Sequence, residues 1–437
     1  MSPDILKNAK NIHFIGIGGI GISAIARMML LQNKKVSGSD RETDTAVIKE
    51  LKKLGAKIYN GHAAENLKNA DLIIYTTAIQ KSNPELQKVK YLKIPTLTYP
   101  EALGLISKNK YTIAISGCHG KTTTTAMIGK ILTDAKKEPT IIVGSFLKDQ
   151  KSNFVAGKSK YLICEACEYK KAFLNLFPKI IVVTNIDNDH LDYYRNLKNI
   201  QKAFSEFVSK LDKKDFLICD KTDENSLSVI KTAKCKIMDF SKIKLPKNFK
   251  LKIPGEHNVK NAKAALAAVK ILEINKKISF RALKNFNGAW RRFEYKGKTK
   301  NGVLIYDDYG HHPTEIKATL KTAREFFKNK KIWCVFQPHL YSRTKFLLDD
   351  FAQSFNNANF LIITDIYAAR EKNDKKINAK ILAEKIKKHN PNALYIKTFK
   401  EITNFLRKNA KNGDAIITMG AGDIFKIGEG LLISGIK

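Results

Sequence analysis

A chain of 437 residues, 43% hydrophobic and 27% charged, is too apolar for wholesale disorder, and at about 150 residues per domain it divides into three. No apolar run reaches the roughly 18 residues of a membrane span, residues 1–11 lack the apolar core of an export signal, and six cysteines are too few for a disulfide scaffold, so a cytoplasmic protein is expected. Arg supplies only 10 of the 78 cations behind the net charge of +37, and Lys is scattered through almost every helix with no basic block interleaved with aromatics, so neither nucleic acid nor a membrane is expected as a partner.

The first segment, residues 1–108, opens with an apolar strand at 12–15, then Gly16-Ile-Gly18-Gly19-Ile-Gly21, then a helix over 22–31. A second strand ends at Asp40, and further strands fall at 57–59 and 72–76. Strand, glycine turn, helix, strand begins a doubly wound parallel sheet. The glycines let the backbone approach a diphosphate on the helix N-terminus, and Asp40 stands where an acid binds a ribose hydroxyl. The diphosphate fits NAD, FAD or a nucleotide-sugar, and spacing alone favours a dinucleotide.

The second segment, residues 109–297, repeats the logic with different chemistry. A buried-type strand at 111–116 runs into Gly117-Cys118-His119-Gly120-Lys121-Thr122-Thr123 and a helix to about Ala135. Backbone N–H groups here cradle phosphates, Lys121 neutralises the β- and γ-phosphates, and a Thr hydroxyl ligates Mg²⁺. The loop departs from G-x-x-x-x-G-K-[ST] in having Ile115 at the first glycine position. Strands are expected at 161–165, 180–184 and 216–219, with helices over 196–211 and 258–272. Glu165 and Glu168 close one strand, and Asp187, Asp189, His190 and Asp192 follow the next, at the edge where such sheets bind ligands and metals. Cys164 and Cys167 have redox-like spacing but no second pair, which makes them structural thiols.

The third segment, residues 298–437, alternates strands at 303–306, 332–336, 360–364 and 415–419 with helices over 314–328, 377–388 and 424–432. After its first strand comes Asp307-Asp308-Tyr309-Gly310-His311-His312-Pro313-Thr314-Glu315. Adjacent histidines there point apart and suit an anion at a helix N-terminus better than a metal. Arg343, in the loop after the next strand, suits an acidic substrate group.

The ordered set of Gly16–Gly21, Gly117–Thr123, Glu165–Glu168, Asp189-His190, His257-Asn258 to Asn261, Arg291–Glu294, Asp307–Glu315, Gln337–Thr344 and Thr418–Asp423 resembles the Mur ligase family over nearly the whole chain. The resemblance implies three tandem α/β domains: an N-terminal Rossmann-like UDP-binding domain, a central P-loop domain for ATP and a C-terminal Rossmann-like domain. It replaces the dinucleotide by UDP-N-acetylmuramate, held by Gly16, Gly18, Gly19 and Gly21 with Ser39, Asp40, Thr77 and Ala78. It implies ATP on Gly117, Cys118, His119, Gly120, Lys121, Thr122 and Thr123, with Asn258, Asn261, Arg292 and Asp308 also on the nucleotide. Thr122 and Glu168 would hold one Mg²⁺ and His190 a second. Tyr309, His311 and Arg343 would shape the amino-acid end, with Lys121, His190, Arg292 and His311 nearest the chemistry. The implied reaction is ATP-dependent joining of L-alanine to the lactyl carboxylate of UDP-N-acetylmuramate through an acyl phosphate. A ligase attaching a preformed peptide to the same nucleotide-sugar is the alternative. Leu340 stands where several members carry Arg, Phe204 stands near the place of a lysine that other members carbamylate, and the oligomeric state, monomer or homodimer, stays open.

Overall fold

Runs rich in Ile, Val and Leu, bounded by glycine or polar turns, form the strands of three sheets; the computed structural model describes residues 4–150, 152–369 and 371–433. The outermost ends of the first and third segments, 1–3 and 434–437, lie outside the described residues.

The first sheet comprises β1 (Asn11–Ile15), β2 (Lys35–Asp40), β3 (Lys57–Asn60), β4 (Leu72–Tyr75) and β5 (Thr96–Thr98), all parallel, in the order β3-β2-β1-β4-β5. Strand order reverses at β1, so the crevice beyond its carboxyl end is where a ligand enters such a sheet. The glycine loop sits there and leads into the helix Ile20–Leu31.

The second sheet contains β6 (Tyr111–Ser116), β7 (Thr140–Leu147), β8 (Ser152–Val155), β9 (Tyr161–Glu165), β10 (Ile180–Val183), β11 (Phe216–Cys219) and β12 (Lys236–Asp239). Its order is β12-β11-β10-β6-β9-β7-β8, and β8 alone runs antiparallel, as a hairpin with β7. Here β6 lies between β10 and β9, so the second loop also leaves from a point of reversal.

The third sheet comprises β13 (Glu294–Lys298), β14 (Leu304–Asp308), β15 (Ile332–Phe336), β16 (Phe360–Ile363), β17 (Ala393–Tyr395) and β18 (Ala415–Met419). It is ordered β13-β14-β18-β15-β16-β17, with β13 antiparallel to β14. It starts at Glu294, four residues ahead of the expected start of the third segment.

The chain forms two compact units. Met1–Ile186, Gln201–Pro246 and Ala262–Leu283 make the first; Asp187–Ile200, Lys247–Asn261 and Lys284–Lys437 make the second. Within the first, the helix Ile20–Leu31 is fastened to the β7–β8 hairpin. Asn153 donates its amide to Ser23 Oγ at 3.0 Å and to the Ile20 carbonyl, and Arg27 donates to Ser152 Oγ at 2.6 Å. Gly21 has no side chain because Tyr99 fills its place: a Cβ there would lie 2.7 Å from the Tyr99 ring. Among the described residues no helix is long and apolar enough to cross a membrane.

Candidate active site

At the first loop, Gly16 takes φ +77° and the turn is pinned to the end of β2. The Gly16 and Ile17 N–H groups donate to the Ser39 carbonyl at 2.8 and 3.2 Å, and the Gly18 N–H donates to Asp40 Oδ2 at 2.8 Å. Asp40 therefore braces the loop, with one carboxylate oxygen committed to its backbone. A Cβ on Gly18 would stand 2.9 Å from that oxygen. Gly19 caps the helix Ile20–Leu31 without a side-chain bond, which leaves its first N–H groups facing the turn. Thr77 and Ala78 are exposed beyond the end of β4.

At the second loop, Gly117 and Gly120 adopt φ +128° and +84°. A Cβ on Gly117 would fall 2.0 Å from Thr184 Oγ1, so glycine is required sterically as well as conformationally. Asn185 and Thr184, at the end of β10, clamp the loop from below. The Cys118 N–H donates to the Asn185 carbonyl at 3.2 Å, the His119 N–H to Asn185 Oδ1 at 3.0 Å, and Thr184 Oγ1 to the His119 carbonyl at 2.6 Å. Lys121 Nζ donates to the Gly117 carbonyl at 2.5 Å and to Glu168 at 3.0 Å. Burial alone would lower the Lys121 pKa, but the Glu168 carboxylate outweighs it and holds the ammonium above its ordinary range. Thr122, Thr123, Glu168 and Cys118 are buried beside it. Cys164 is buried in β9, Cys167 is exposed, and all six cysteines are free thiols. Phe204 is fully buried, edge-on to Phe173, while Lys202 is exposed.

The second unit gathers the remaining candidates. Arg291, which sequence reasoning passed over as a site residue, is the largest fully buried side chain among the described residues. It donates to Asp307 Oδ2 at 2.6 Å and to the Gly422 and Gly420 carbonyls at 2.8 and 2.6 Å, joining β13's approach to the loop after β18. Arg292 lies 3.6 Å from Glu315 and 5.2 Å from the Tyr309 ring centroid. Asp308 accepts from the Phe293 and Gly310 N–H groups at 2.8 and 2.7 Å; burial, only partly offset by Arg292, raises its carboxyl to about 6.

The two histidines do part company. His312 caps the helix Pro313–Phe327 in a box with Glu315, and its Nε2 meets the Asn188 carbonyl at 2.9 Å. His311 turns Nδ1 to the Tyr309 carbonyl at 3.1 Å and to Glu315 at 3.4 Å. Burial, then the nearby Arg343, lower its pKa to about 4, so the imidazole is neutral near pH 7. Arg343 is buried and donates to Asp189 Oδ1 at 3.0 Å and contacts His339 Nδ1 at 3.1 Å. Burial would raise the Asp189 carboxyl, but the charges of His190, Arg343, His312 and His311 hold it well below the usual range. Arg343 is thus committed to Asp189, a partner the sequence pattern did not flag. His190 takes φ +52° at the head of the short helix Leu191–Tyr194. Leu340, at φ +72°, is buried. Asn258 donates to the Pro254 carbonyl at 2.6 Å and accepts from Asn261 at 3.4 Å.

Three family profiles match this chain: "Mur ligase family, catalytic domain" over residues 11–111, "Mur ligase middle domain" over 115–248 and "Mur ligase, glutamate ligase domain" over 291–422. It is 44% identical to a UDP-N-acetylmuramate–L-alanine ligase of Clostridium tetani, covering 98% of this chain and 99% of that one. A protein of the same name from Acetivibrio thermocellus is 43% identical, over 96% and 95%. Among solved structures, the UDP-N-acetylmuramate-alanine ligase of Thermotoga maritima superposes with TM-score 0.82 at 28% identity, over 98% and 99% of the two chains. A murein peptide ligase of Psychrobacter arcticus shares the fold, with TM-score 0.71 at 23% identity over 97% and 98%. The chain belongs to the Mur ligase family.

Proposed function

We propose that this chain joins L-alanine to the lactyl carboxylate of UDP-N-acetylmuramate, consuming ATP and releasing ADP and phosphate. The observation that carries the reading is near-full-length identity above 40% to ligases named for these two substrates. Residues 1–108 would hold the nucleotide-sugar at the glycine loop with Ser39, Asp40, Thr77 and Ala78, residues 109–297 would hold ATP, and residues 298–437 would present the amino acid. The setting is the cytoplasm.

Chemically, a lactyl carboxylate oxygen attacks the γ-phosphorus of ATP and ADP departs. The amine of L-alanine then attacks the acyl carbon, phosphate leaves with the bonding pair, and the amine proton passes to a base. Lys121, held protonated by Glu168, would exchange part of that pairing for the phosphates, while the Gly117 and Gly120 N–H groups orient them, those of Cys118 and His119 being given to Asn185. Thr122 and Glu168 offer hydroxyl and carboxylate oxygens, the hard donors that Mg²⁺ prefers, and the ion would screen charge between the carboxylate and the phosphates. His190 would serve a second ion through a ring nitrogen. Asn258, Asn261, Arg292 and Asp308 would also contact the nucleotide. Tyr309, Arg343 and His311 would form the amino-acid end, with His311 as the base: Nδ1 is turned to a carbonyl, which leaves the Nε2 lone pair to take the proton.

Phosphate release with UDP-N-acetylmuramate, ATP and Mg²⁺ tests the reading. L-alanine is expected to trigger release and a preformed tripeptide is not. Release with the tripeptide alone would reassign the chain to peptide ligation, and release with neither would overturn the substrate.

A further inference from the structure

Behind the first loop lies a buried polar cluster of which the proposed reaction uses Ser39 alone. Glu85, in the first turn of the helix Pro84–Leu92, is fully buried. Side chains from four places in the fold converge on its carboxylate. Ser39, at the end of β2, donates its hydroxyl to Oε2 at 2.6 Å, and Asn66 donates its amide to Oε1 at 2.8 Å. His62, just past β3, brings Nδ1 to Oε2 at 3.0 Å and to Ser39 Oγ at 2.9 Å. His13 Nε2 lies 3.4 Å from Oε1. Burial pushes the Glu85 carboxyl up, yet the hydrogen bonds from His13, Ser39 and Asn66 outweigh it and hold the group below its ordinary range, so it is ionised.

An ionised carboxylate only accepts, and the one hydroxyl proton of Ser39 is already given to it. The proton between His62 and this pair must therefore be on Nδ1. A neutral His62 has Nε2 bare, and Nδ1 makes every polar contact of the ring. The same strand end that fixes the tautomer also builds the glycine loop: the Ser39 carbonyl takes the Gly16 N–H, Asp40 takes the Gly18 N–H, and the Gly61 N–H donates to the Asp40 carbonyl at 2.7 Å.

We infer that His62 is a nucleoside-reading residue, presenting Nε2 as an acceptor to a donor of the bound UDP moiety, uracil N3–H or a ribose hydroxyl, and that Glu85 is the positioning residue that fixes its tautomer. This rests on the first loop holding the nucleotide-sugar. Glu85 itself touches no ligand; it acts by deciding which ring nitrogen carries the proton.

The test uses the full chain labelled with ¹⁵N-histidine, nine rings in all, with the His62 signals assigned from a His62→Gln variant. The free protein is expected to show His62 protonated at Nδ1 and bare at Nε2, and UDP is expected to shift Nε2. Glu85→Gln, which turns an NH₂ towards the cluster, is expected to scramble the tautomer. It should raise KM for the nucleotide-sugar about tenfold, the worth of one hydrogen bond, with kcat and KM for ATP little moved. His62→Phe should do the same and His62→Gln should recover part of the loss. UDP methylated at N3 and 2′-deoxy-UDP separate the base from the ribose as the donor; whichever loses its sensitivity to His62→Phe identifies it. An Nε2–H tautomer in the free protein, or UDP binding that leaves His62 unshifted, overturns the inference. Gly18→Val separates this from the underlying reading: if that variant binds UDP as tightly as the parent, the first loop is not the nucleotide site and both fall.

Discussion

Lys121 and His311 carry their charge states for opposite reasons. Both are withdrawn from water, which disfavours the cationic form of each. Lys121 has Glu168 at 3.0 Å and stays charged. His311 has Arg343 nearby, whose charge adds to the effect of burial, and loses its proton. Lys121→Ala is accordingly expected to abolish ATP-dependent phosphate release while circular dichroism stays unchanged; undiminished release would remove the second loop from the chemistry. His311→Gln is expected to lower kcat by about 10²-fold or more at pH 8, the usual contribution of a positioned base. In the parent enzyme this imidazole should contribute an acid limb near pH 4, and a limb near 6.5 that vanishes in His311→Gln would show the ring charged near neutrality. The same depressed pKa makes a stability statement. Between about 6.5 and about 4 the unfolded chain binds a proton at this ring that the folded chain refuses, so its contribution is intact above that window and declines as pH falls through it.

At the scale of elements, much of the architecture was legible because glycine loops and apolar strands carry local signals. β1, β6, β10, β14, β15 and β18 all lie where hydrophobic runs predict them. β13, reading Glu-Tyr-Lys-Gly-Lys, has no apolar alternation to betray it, and pairs because β14 offers an edge. The β7–β8 hairpin and the short β12 and β17 were similarly unannounced. At the site, the loops themselves were visible, while their braces were not. Asn185 under the second loop, Asp189 against Arg343 and Glu85 behind Ser39 lie 66, 154 and 46 residues from the atoms they hold. Only the fold makes such pairs neighbours. Arg291 is the strongest case, since its guanidinium joins elements 131 residues apart. Arg291→Met should leave Asp307 buried without its cation and destabilise the protein by about 3–5 kcal/mol in urea unfolding. A loss under about 1 kcal/mol would mean that Asp307 is held by Thr418 alone.

For the molecule as a whole, 78 cations face 41 anions, so 37 positive side chains have no acidic residue to themselves. Repulsion of this kind opposes the compact state and is screened by salt. The melting temperature is therefore expected to rise between low salt and about 0.5 M NaCl, and a fall would show that ion pairs dominate the surface. The fastening of Ser152 and Asn153 to the helix Ile20–Leu31 bears on how such a chain is inherited or rebuilt. Each nucleotide loop has the form of a module open to exchange by recombination, with a natural crossover near residue 108. A graft cut there would strand Asn153 without the Ser23 hydroxyl and Ile20 carbonyl that satisfy it, and would leave the Arg27 guanidinium without the Ser152 hydroxyl it donates to. The transferable cassette is the pair of sheets with its seam, and any graft that keeps the sugar-nucleotide specificity of one parent must bring that parent's hairpin along.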